Sequence, residues 1–253
     1  MQSLRLESLH QSRRIHHEPW PVLKCEDCDF VFLGAVPDYA LLSDELAWEK
    51  TSLAERKKRN ARWYGQFDSM TRWRMRFGHA IDNARRRRAM DGARRVLEIG
   101  CGDGTRIPEG PIPYGIEISA ELCTRARPVY LKRGGDVTHA PATEGIERFP
   151  EEFFDTILMR SYLEHEAQPR KILERAFCKL AAGGKVLIRV PDYGSVNRKF
   201  MGAKWCGFRF PDHVNYFTGK SLRALAESVG YAYRRKNWLS PLDDNIIAEL
   251  TRS

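Results

Sequence analysis

The chain has 253 residues, a mean hydropathy of −0.51 and a composition that is 42% hydrophobic and 30% charged. A chain of this kind folds into one or two globular domains with a sizeable core. No apolar run approaches the roughly 18 residues that span a bilayer, and the N-terminus lacks the apolar stretch of a secretory signal. The six cysteines are too sparse for a disulfide scaffold, so we expect reduced thiols in a cytoplasmic protein.

The positive charge of the chain is concentrated in one segment. The formal net charge is +9, and residues 56–95 alone hold 14 lysines or arginines against three acids. Between residues 63 and 84 the apolar side chains recur at helical spacing, which predicts amphipathic helices with an arginine-rich face. That face has three alternative roles: packing on the core with solvated arginines, peripheral contact with the inner face of a membrane, or contact with nucleic-acid phosphates. We favour the first over the other two.

A pair of cysteines, Cys25 and Cys28, precedes an apolar run over residues 30–33, which predicts a turn that leads into a strand. Two cysteines are half of a tetrahedral zinc site, and His16 and His17 are the residues that would complete it. A metal-free hairpin and an idle redox motif are the alternatives. We favour the metal-free hairpin, so zinc is not an expected cofactor.

From residue 91 onward, strand and helix patterns alternate. The predicted strands are 95–99, 114–118, 154–159, 185–190, 231–238 and 245–251, and the predicted helices are 120–127, 169–180 and 220–229. The glycines at 183 and 184 are expected to end the second helix. This alternation predicts an α/β fold with a mainly parallel sheet that is covered by helices on both faces.

The first of these strands runs into a glycine-rich turn, with glycines at 100, 102 and 104. Glycine lets the backbone turn sharply and approach a ligand closely. The second strand ends at Glu117, whose carboxylate can accept hydrogen bonds from the vicinal hydroxyls of a ribose. A dinucleotide site needs a further glycine where this chain has Thr105, and Glu98 and Asp103 would repel a pyrophosphate but suit a sulfonium or ammonium cation. The pattern therefore favours an adenosyl sulfonium over a dinucleotide.

Residues 98–104, Glu-Ile-Gly-Cys-Gly-Asp-Gly, resemble the first motif of class I S-adenosylmethionine-dependent methyltransferases. The ordered segments that follow resemble the subgroup with ubiquinone-biosynthesis O-methyltransferases and glycan and natural-product methyltransferases; they are 115–117, 135–137, 154–157, 163–165, 180–185, 190–192 and 205–231. The resemblance covers residues 91–253. It implies a Rossmann-like sheet of seven mainly parallel strands, preceded by a hairpin and helical extension over residues 1–90 that caps the substrate. Residues 105–113 are rich in proline, so the helix usual at that position is expected to be short or lost.

The resemblance also implies roles for single residues. The methionine end of the donor would be lined by Glu98, Gly100, Cys101, Gly102 and Gly104. Glu117 would bind the ribose, and the adenine would contact Ile118, Asp136 and Val137. Met159 and Arg160 would end the next strand beside the donor. The acceptor would be lined by Tyr162, Asp192 and Tyr193, which follow predicted strands.

Methyl transfer to a hydroxyl requires removal of its proton. His165 follows the predicted strand 154–159 and is our candidate for the general base, with His213 as a second candidate. The alternatives are that His165 caps a turn, that it binds a divalent metal with Glu164, and that His213 holds a substrate loop in place. We do not expect a metal, because the sequence offers no further clear ligands.

The sequence thus predicts a methyltransferase for a small-molecule acceptor, most simply a hydroxyl of a glycan precursor, a natural product or a quinone-like lipid. One alternative is an RNA methyltransferase that uses the basic segment 56–95. The other is a scaffold protein that binds the cofactor but has lost turnover.

Overall fold

The computed structural model describes residues 12–16, 20–34, 83–84, 86–237 and 243–252. Most of the predicted basic helices, together with His17, lie outside these residues. Within the described residues, no helix has both the length and the apolar character needed to cross a membrane.

The described chain contains eleven strands and five α-helices. The strands are β1 (Ser12–His16), β2 (Val22–Cys25), β3 (Val31–Leu33), β4 (Arg95–Ile99), β5 (Ile112–Glu117), β6 (Asp136–His139), β7 (Phe154–Arg160), β8 (Leu180–Pro191), β9 (Asn215–Tyr216), β10 (Tyr231–Arg235) and β11 (Asn245–Arg252). The helices are α1 (Ala120–Leu131), α2 (Ala142–Gly145), α3 (Pro169–Lys179), α4 (Val196–Met201) and α5 (Gly219–Glu227). Residues 86–89 are also helical.

Seven strands form the central sheet in the order β10-β11-β8-β7-β4-β5-β6. The five strands from β8 to β6 are parallel, while β11 and β10 are antiparallel at one edge. The chain passes from β4 to β5 and β6 on one side, and then crosses to β7 and β8 on the other. The carboxyl ends of β4 and β7 are therefore the topological switch point, where an open α/β sheet binds its ligand. The predicted seven-stranded fold is confirmed.

Two apolar clusters pack on opposite faces of this sheet. Leu97 and Ile99 of β4 pack in one cluster, with buried side chains of α3 and α5. Val96 of the same strand packs in the other, with Ala126 and Tyr130 of α1. Because successive residues of a strand point to opposite faces, this division shows that helices cover both sides of the sheet.

A second, four-stranded antiparallel sheet joins the N-terminal hairpin to the late part of the chain. Its order is β1-β2-β3-β9, and Val31 pairs with Tyr216. A small core of its own includes Val22, Leu33 and Trp205. The hairpin predicted around the two cysteines is therefore present and is tied to residues 205–216, while the domain boundary at residue 90 remains a prediction.

Two local predictions differ from the structure. β6 was not predicted, because only Val137 of its four residues is buried and the strand lies at the edge of the sheet. The glycines at 183 and 184 do not end α3, which stops at Lys179; they lie in a bulge of β8, where the pairing with β7 shifts register. The absence of a helix over residues 101–111 agrees with the prediction.

Candidate functional site

A cleft of about 840 Å³ opens at the carboxyl ends of the parallel strands. The glycine-rich turn after β4, the end of β5, the loop after β7 and the segment before β9 all contribute to it. Its lining residues include Gly100, Gly102, Arg106, Glu117, Ile118, Arg160, Tyr162, Glu164, His165, Arg189, Arg209, Asp212 and His213. The cleft thus lies at the switch point of the sheet.

The glycine-rich turn forms the floor of one side of the cleft. Gly100 and Gly102 have φ angles of +70° and +59°, which favour glycine. A Cβ at Gly100 would come within 3.3 Å of the Tyr162 ring, so the turn also depends on glycine for space. The predicted contribution of these two glycines to a ligand-binding floor is compatible with this geometry.

Glu117 holds the turn in place with its carboxylate. Its Oε2 accepts a hydrogen bond from the Gly102 N–H at 2.8 Å, and its Oε1 accepts from the N–H groups of Ile118 and Ser119 at 2.9 and 3.1 Å. A carboxylate offers about four lone-pair sites, so about one remains for a ligand hydroxyl. The carboxylate is oriented in advance and lines the cleft, as a ribose-binding group requires.

Glu98 does not line the cleft, and it contributes to the site by pairing with Arg106, which does. Its side chain is almost fully buried, and burial raises its pKa to about 7 although arginines oppose the shift. The Glu98 carboxylate contacts Nη1 of Arg106 at 3.3 Å, and the same nitrogen donates to the Gly100 carbonyl at 3.1 Å. Arg106 itself lines the cleft and is a cation placed to meet a ligand carboxylate.

Arg106 was not predicted from the sequence. The signal was its position, two residues after the last glycine of the turn, where a long basic side chain can fold back over the turn.

Four other predicted donor-binding residues shape the fold without lining the cleft. A Cβ at Gly104 would lie 2.8 Å from the Tyr130 ring, so this glycine permits close packing against α1. Cys101, Val137 and Met159 are buried in the apolar clusters. Of the remaining predictions for the donor, Ile118 and Arg160 do line the cleft.

The prediction for Asp136 is not supported by its position. Asp136 is the first residue of β6 and pairs with Tyr114, whereas Glu117 pairs with His139 at the cleft end. Three residues of strand separate the two ends by roughly 10 Å. The Asp136 carboxylate is exposed and contacts Arg127 at 3.2 Å. The resemblance placed the acid at the wrong end of the strand because β6 was not recognised.

The two predicted catalytic histidines meet in the cleft although they are 48 positions apart in the sequence. Their ring centroids are 4.7 Å apart, with the rings nearly perpendicular. Backbone hydrogen bonds join the two segments: the N–H groups of Val214 and Asn215 both donate to the Glu164 carbonyl, at 2.8 and 3.0 Å. The hairpin strand β3 continues this contact by pairing with β9.

Each histidine ring is oriented by a backbone carbonyl. Nδ1 of His165 lies 3.0 Å from the Asp212 carbonyl, and Nδ1 of His213 lies 2.8 Å from the Gly207 carbonyl. A neutral ring must carry its proton on Nδ1 to make such a bond, which leaves Nε2 as an acceptor. Burial lowers the pKa of His165 to about 4 and that of His213 well below its usual value, and Arg209 acts in the same direction. Both rings are therefore neutral at physiological pH, as a general base must be.

Glu164 and the two histidines also form the one group of three or more metal-ligand side chains among the residues that the structure describes. One carboxylate oxygen and one nitrogen of each ring lie within 4.8 Å of one another. Such a group could hold a divalent metal. However, burial raises the pKa of Glu164 to about 8, and the positive charges of Arg189 and Arg209 lie close to it. The local charge thus opposes a dication.

The raised pKa of Glu164 predicts a pH-dependent difference in stability. Between pH 4.5 and 8 the carboxyl group is ionised in the unfolded chain but protonated in the folded one, so the free energy of unfolding falls as the pH rises through this window. We expect the wild type to lose stability relative to Glu164→Gln from pH 5 toward pH 8, with no further loss above it. Urea denaturation of both proteins over this range measures the difference. Parallel pH curves would contradict the assignment.

Of the predicted acceptor residues, only Tyr162 lines the cleft, where its hydroxyl donates to Glu166. Asp192 is buried and contacts Arg235 at 2.8 Å. Tyr193 packs against Trp205 in the core of the small sheet. Neither Asp192 nor Tyr193 is among the residues that line the cleft, so the structure does not support their predicted acceptor role.

The two cysteines of the hairpin do not gather further ligands within the described part of the chain. Cys25 is buried and Cys28 is exposed, and both thiols are free. Burial raises the pKa of Cys28, with the Cys25 side chain adding to the shift. The side chains of His16 and His17 lie outside what the structure describes, so a zinc site completed by them is not tested.

Comparisons with known proteins identify a family and a fold. A family model described as a methyltransferase domain matches residues 53–236, well over half of the chain. An uncharacterised protein of Methanocaldococcus jannaschii is 31% identical over 137 residues, and the match covers 54% of this chain and 64% of that relative. The chain thus spans less than two thirds of the length of the relative.

Two solved structures have a similar fold. A SAM-dependent methyltransferase from Archaeoglobus fulgidus is 17% identical, with a TM-score of 0.55 over 76% of this chain and 100% of that one. A magnesium protoporphyrin IX methyltransferase from Synechocystis PCC 6803, solved with bound SAH, is 17% identical, with a TM-score of 0.54 over 78% and 100% of the two chains. The fold is the Rossmann-like fold of these two structures. The chain belongs to the methyltransferase domain family whose model it matches.

Proposed function

We propose that the protein transfers a methyl group from S-adenosylmethionine to a hydroxyl of a small-molecule acceptor. S-adenosylmethionine is the methyl donor. The observation that carries the proposal is the meeting, in one cleft, of a glycine-rich turn beside an oriented carboxylate with a pair of neutral histidines in ring contact, of which His213 is buried and His165 is half-buried. The acceptor classes that we retain are a glycan precursor, a natural product and a quinone-like lipid.

The residues present fit the donor. Glu117 offers an acceptor-only group for a ribose, and Gly100 leaves room where a Cβ would crowd the Tyr162 ring. Arg106 provides a cation beside the turn for the carboxylate of the methionine moiety. When bound, the sulfonium supplies the reactive methyl group, and the chain supplies orientation and proton removal.

The proposed base is His165, which accepts the proton of the acceptor hydroxyl at Nε2. The carbonyl of Asp212 holds Nδ1 in its protonated form and orients the ring. His213 packs edge-on against this ring and limits its rotation. His165 follows the end of β7, and His213 lies two residues before β9, whose segment is hydrogen-bonded to the Glu164 carbonyl, so the two sheets fix the positions of both rings.

The resemblance to other methyltransferases implied that Asp136 binds the adenine. From its position at the far end of β6, we predict that it does not. We expect Asp136→Ala to bind S-adenosylhomocysteine within about twofold of the wild type, because the side chain is exposed at the far end of β6. Isothermal titration calorimetry measures the affinity. A large loss of affinity would restore the original role of Asp136.

The proposed function is tested with the intact protein and a radiolabelled methyl donor. A panel of hydroxyl-bearing glycan precursors, natural products and quinone-like lipids is offered, together with an RNA transcript. Label transferred to one class of small molecule is the expected result. Label in RNA would favour the nucleic-acid alternative, and donor binding without transfer to any acceptor would favour an idle scaffold.

A further inference from the structure

The side chain of Tyr162 connects the glycine-rich turn with the segment of the proposed base. A Cβ placed on Gly100 would lie 3.3 Å from Cδ2 of the Tyr162 ring, so the ring lies directly beside the turn. The Tyr162 carbonyl accepts a hydrogen bond from the His165 N–H at 2.9 Å. Gly100, Tyr162 and His165 all line the same cleft. Tyr162 therefore contacts the turn with its ring and the base segment with its backbone.

A buried carboxylate holds the hydroxyl of Tyr162. The hydroxyl donates to Oε2 of Glu166, whose Oε1 accepts the Gln168 N–H at 2.8 Å. The amide of Asn215 donates to the Glu166 carbonyl at 2.7 Å, which ties this residue to β9. Because the hydroxyl is engaged by Glu166, the carbon ring is the part of Tyr162 that meets the turn. Donation to a carboxylate also polarises a phenol and places more electron density on its ring.

An electron-rich ring at this position suits the charge of the proposed donor. A sulfonium is a cation without a hydrogen-bond donor of its own, and the face of an aromatic ring attracts cations through its quadrupole. Methyl transfer requires the sulfonium to lie between the turn, which would hold the methionine moiety, and the acceptor hydroxyl at His165. Since Tyr162 contacts both segments, its ring borders this path.

We propose that Tyr162 recognises the positive charge of the sulfonium and thereby distinguishes S-adenosylmethionine from the product S-adenosylhomocysteine. This inference rests on the proposed function, and it assigns Tyr162 to the donor instead of the acceptor. When the methyl group passes to the acceptor oxygen, the electron pair of the broken C–S bond stays on sulfur, and the sulfonium becomes a neutral thioether. The attraction to the ring is then lost, which favours exchange of the product for fresh donor.

The test compares charged and neutral ligands by titration calorimetry on the full chain. The ligands are S-adenosylmethionine, S-adenosylhomocysteine and sinefungin, which carries an amine in place of the methyl sulfonium. The variants are Tyr162→Leu, which removes the ring, and Tyr162→Phe, which keeps the ring but loses the bond to Glu166. The matched control is Tyr233→Leu on β10, whose ring contacts Arg223 and is not part of the cleft lining. Thermal unfolding establishes that each variant is folded, and Tyr162→Met replaces Tyr162→Leu if that variant is not.

We expect Tyr162→Leu to bind S-adenosylmethionine and sinefungin roughly 5- to 30-fold more weakly than the wild type, and S-adenosylhomocysteine within about threefold. Tyr162→Phe should fall between the two proteins, and the control should change each affinity by about twofold at most. An equal loss for all three ligands would show that the ring only supports the turn, and unchanged affinities would show that it does not meet the donor. Either result overturns the inference.

The affinity of the product separates this inference from the proposed function. Failure of S-adenosylhomocysteine to bind the wild type contradicts the proposed function. Binding of S-adenosylhomocysteine to the wild type, with no selective loss of the charged ligands in Tyr162→Leu, contradicts only the role of Tyr162.

Discussion

Glu117→Gln should bind S-adenosylhomocysteine roughly 10- to 100-fold more weakly than the wild type. The carboxylate accepts hydrogen bonds from three backbone N–H groups, of Gly102, Ile118 and Ser119, and faces the cleft. Glutamine removes the charge and replaces one acceptor oxygen with a donor group that cannot pair with an N–H. We expect the substitution to weaken the ribose contact and to loosen the hydrogen bond that holds the turn at Gly102. Titration calorimetry with S-adenosylhomocysteine measures the loss.

The matched control is Glu121→Gln, four residues further along the chain. Its side chain is 64% exposed on α1 and pairs with Arg125, away from the lining of the cleft. The same chemical change there should alter the affinity by about twofold at most. If both variants bind equally well, the ribose assignment is wrong.

His165→Ala should lower the rate of methyl transfer by about 10²–10⁴ while leaving donor affinity close to that of the wild type. The reason is that the Nε2 acceptor is lost, whereas the glycine turn and Glu117 are untouched. The rate is measured under single-turnover conditions with the acceptor found by the radiolabel screen. A variant that transfers the methyl group at the wild-type rate would exclude His165 as the base.

His213→Ala distinguishes a base from a positioning group. In the proposed arrangement His213 packs against the His165 ring and does not accept the proton. Its loss should lower the rate less than the loss of His165. A larger loss of rate in His213→Ala than in His165→Ala would make His213 the base and His165 the positioning group.

The pH dependence gives a further check on the base. Burial lowers the pKa of His165 to about 4, so the ring stays neutral and able to accept a proton across the physiological range. The catalytic rate should therefore not fall with protonation of this histidine as the pH drops from 7 to 6, where an ordinary histidine titrates. Loss of activity in that interval that is absent from His165→Gln would show that the ring titrates near its ordinary pKa, which would contradict the lowered pKa of the buried ring.

The fold could be predicted because strand and helix patterns in the second part of the chain are strong. The strand that holds Val96, Leu97 and Ile99 is apolar on both faces, which is the pattern of a central parallel strand, and its predicted bounds match the structure. The edge strand β6 has no such pattern, since it buries one side chain of four. Because β6 was not predicted, Asp136 was expected at the cleft end of the strand, whereas it lies at the opposite end.

The site could be predicted only where local sequence carries the chemistry. The turn at Gly100 and Gly102 and the acid at Glu117 follow from strand ends and spacing, and they line the cleft. Arg106 was missed although it lies only two residues after Gly104, because the sequence does not show that its side chain folds back to the Gly100 carbonyl. Asp192 and Tyr193 were misassigned because a loop position after a strand does not fix the direction of a side chain, and both point into packed surroundings.

The small sheet has a practical consequence for work on this protein. Strand β3 of the N-terminal hairpin pairs with β9, which begins two residues after His213. The Phe30 ring packs at a tilt against the Phe217 ring, with the ring centroids 5.4 Å apart. Shortening the chain to residues 91–253 would keep every glycine of the turn and both histidines. It would also remove β3, the strand that pairs with β9 next to His213. A shortened protein of this kind should still capture the donor while turning over slowly, so functional assays and crystallisation trials are best started from the entire chain.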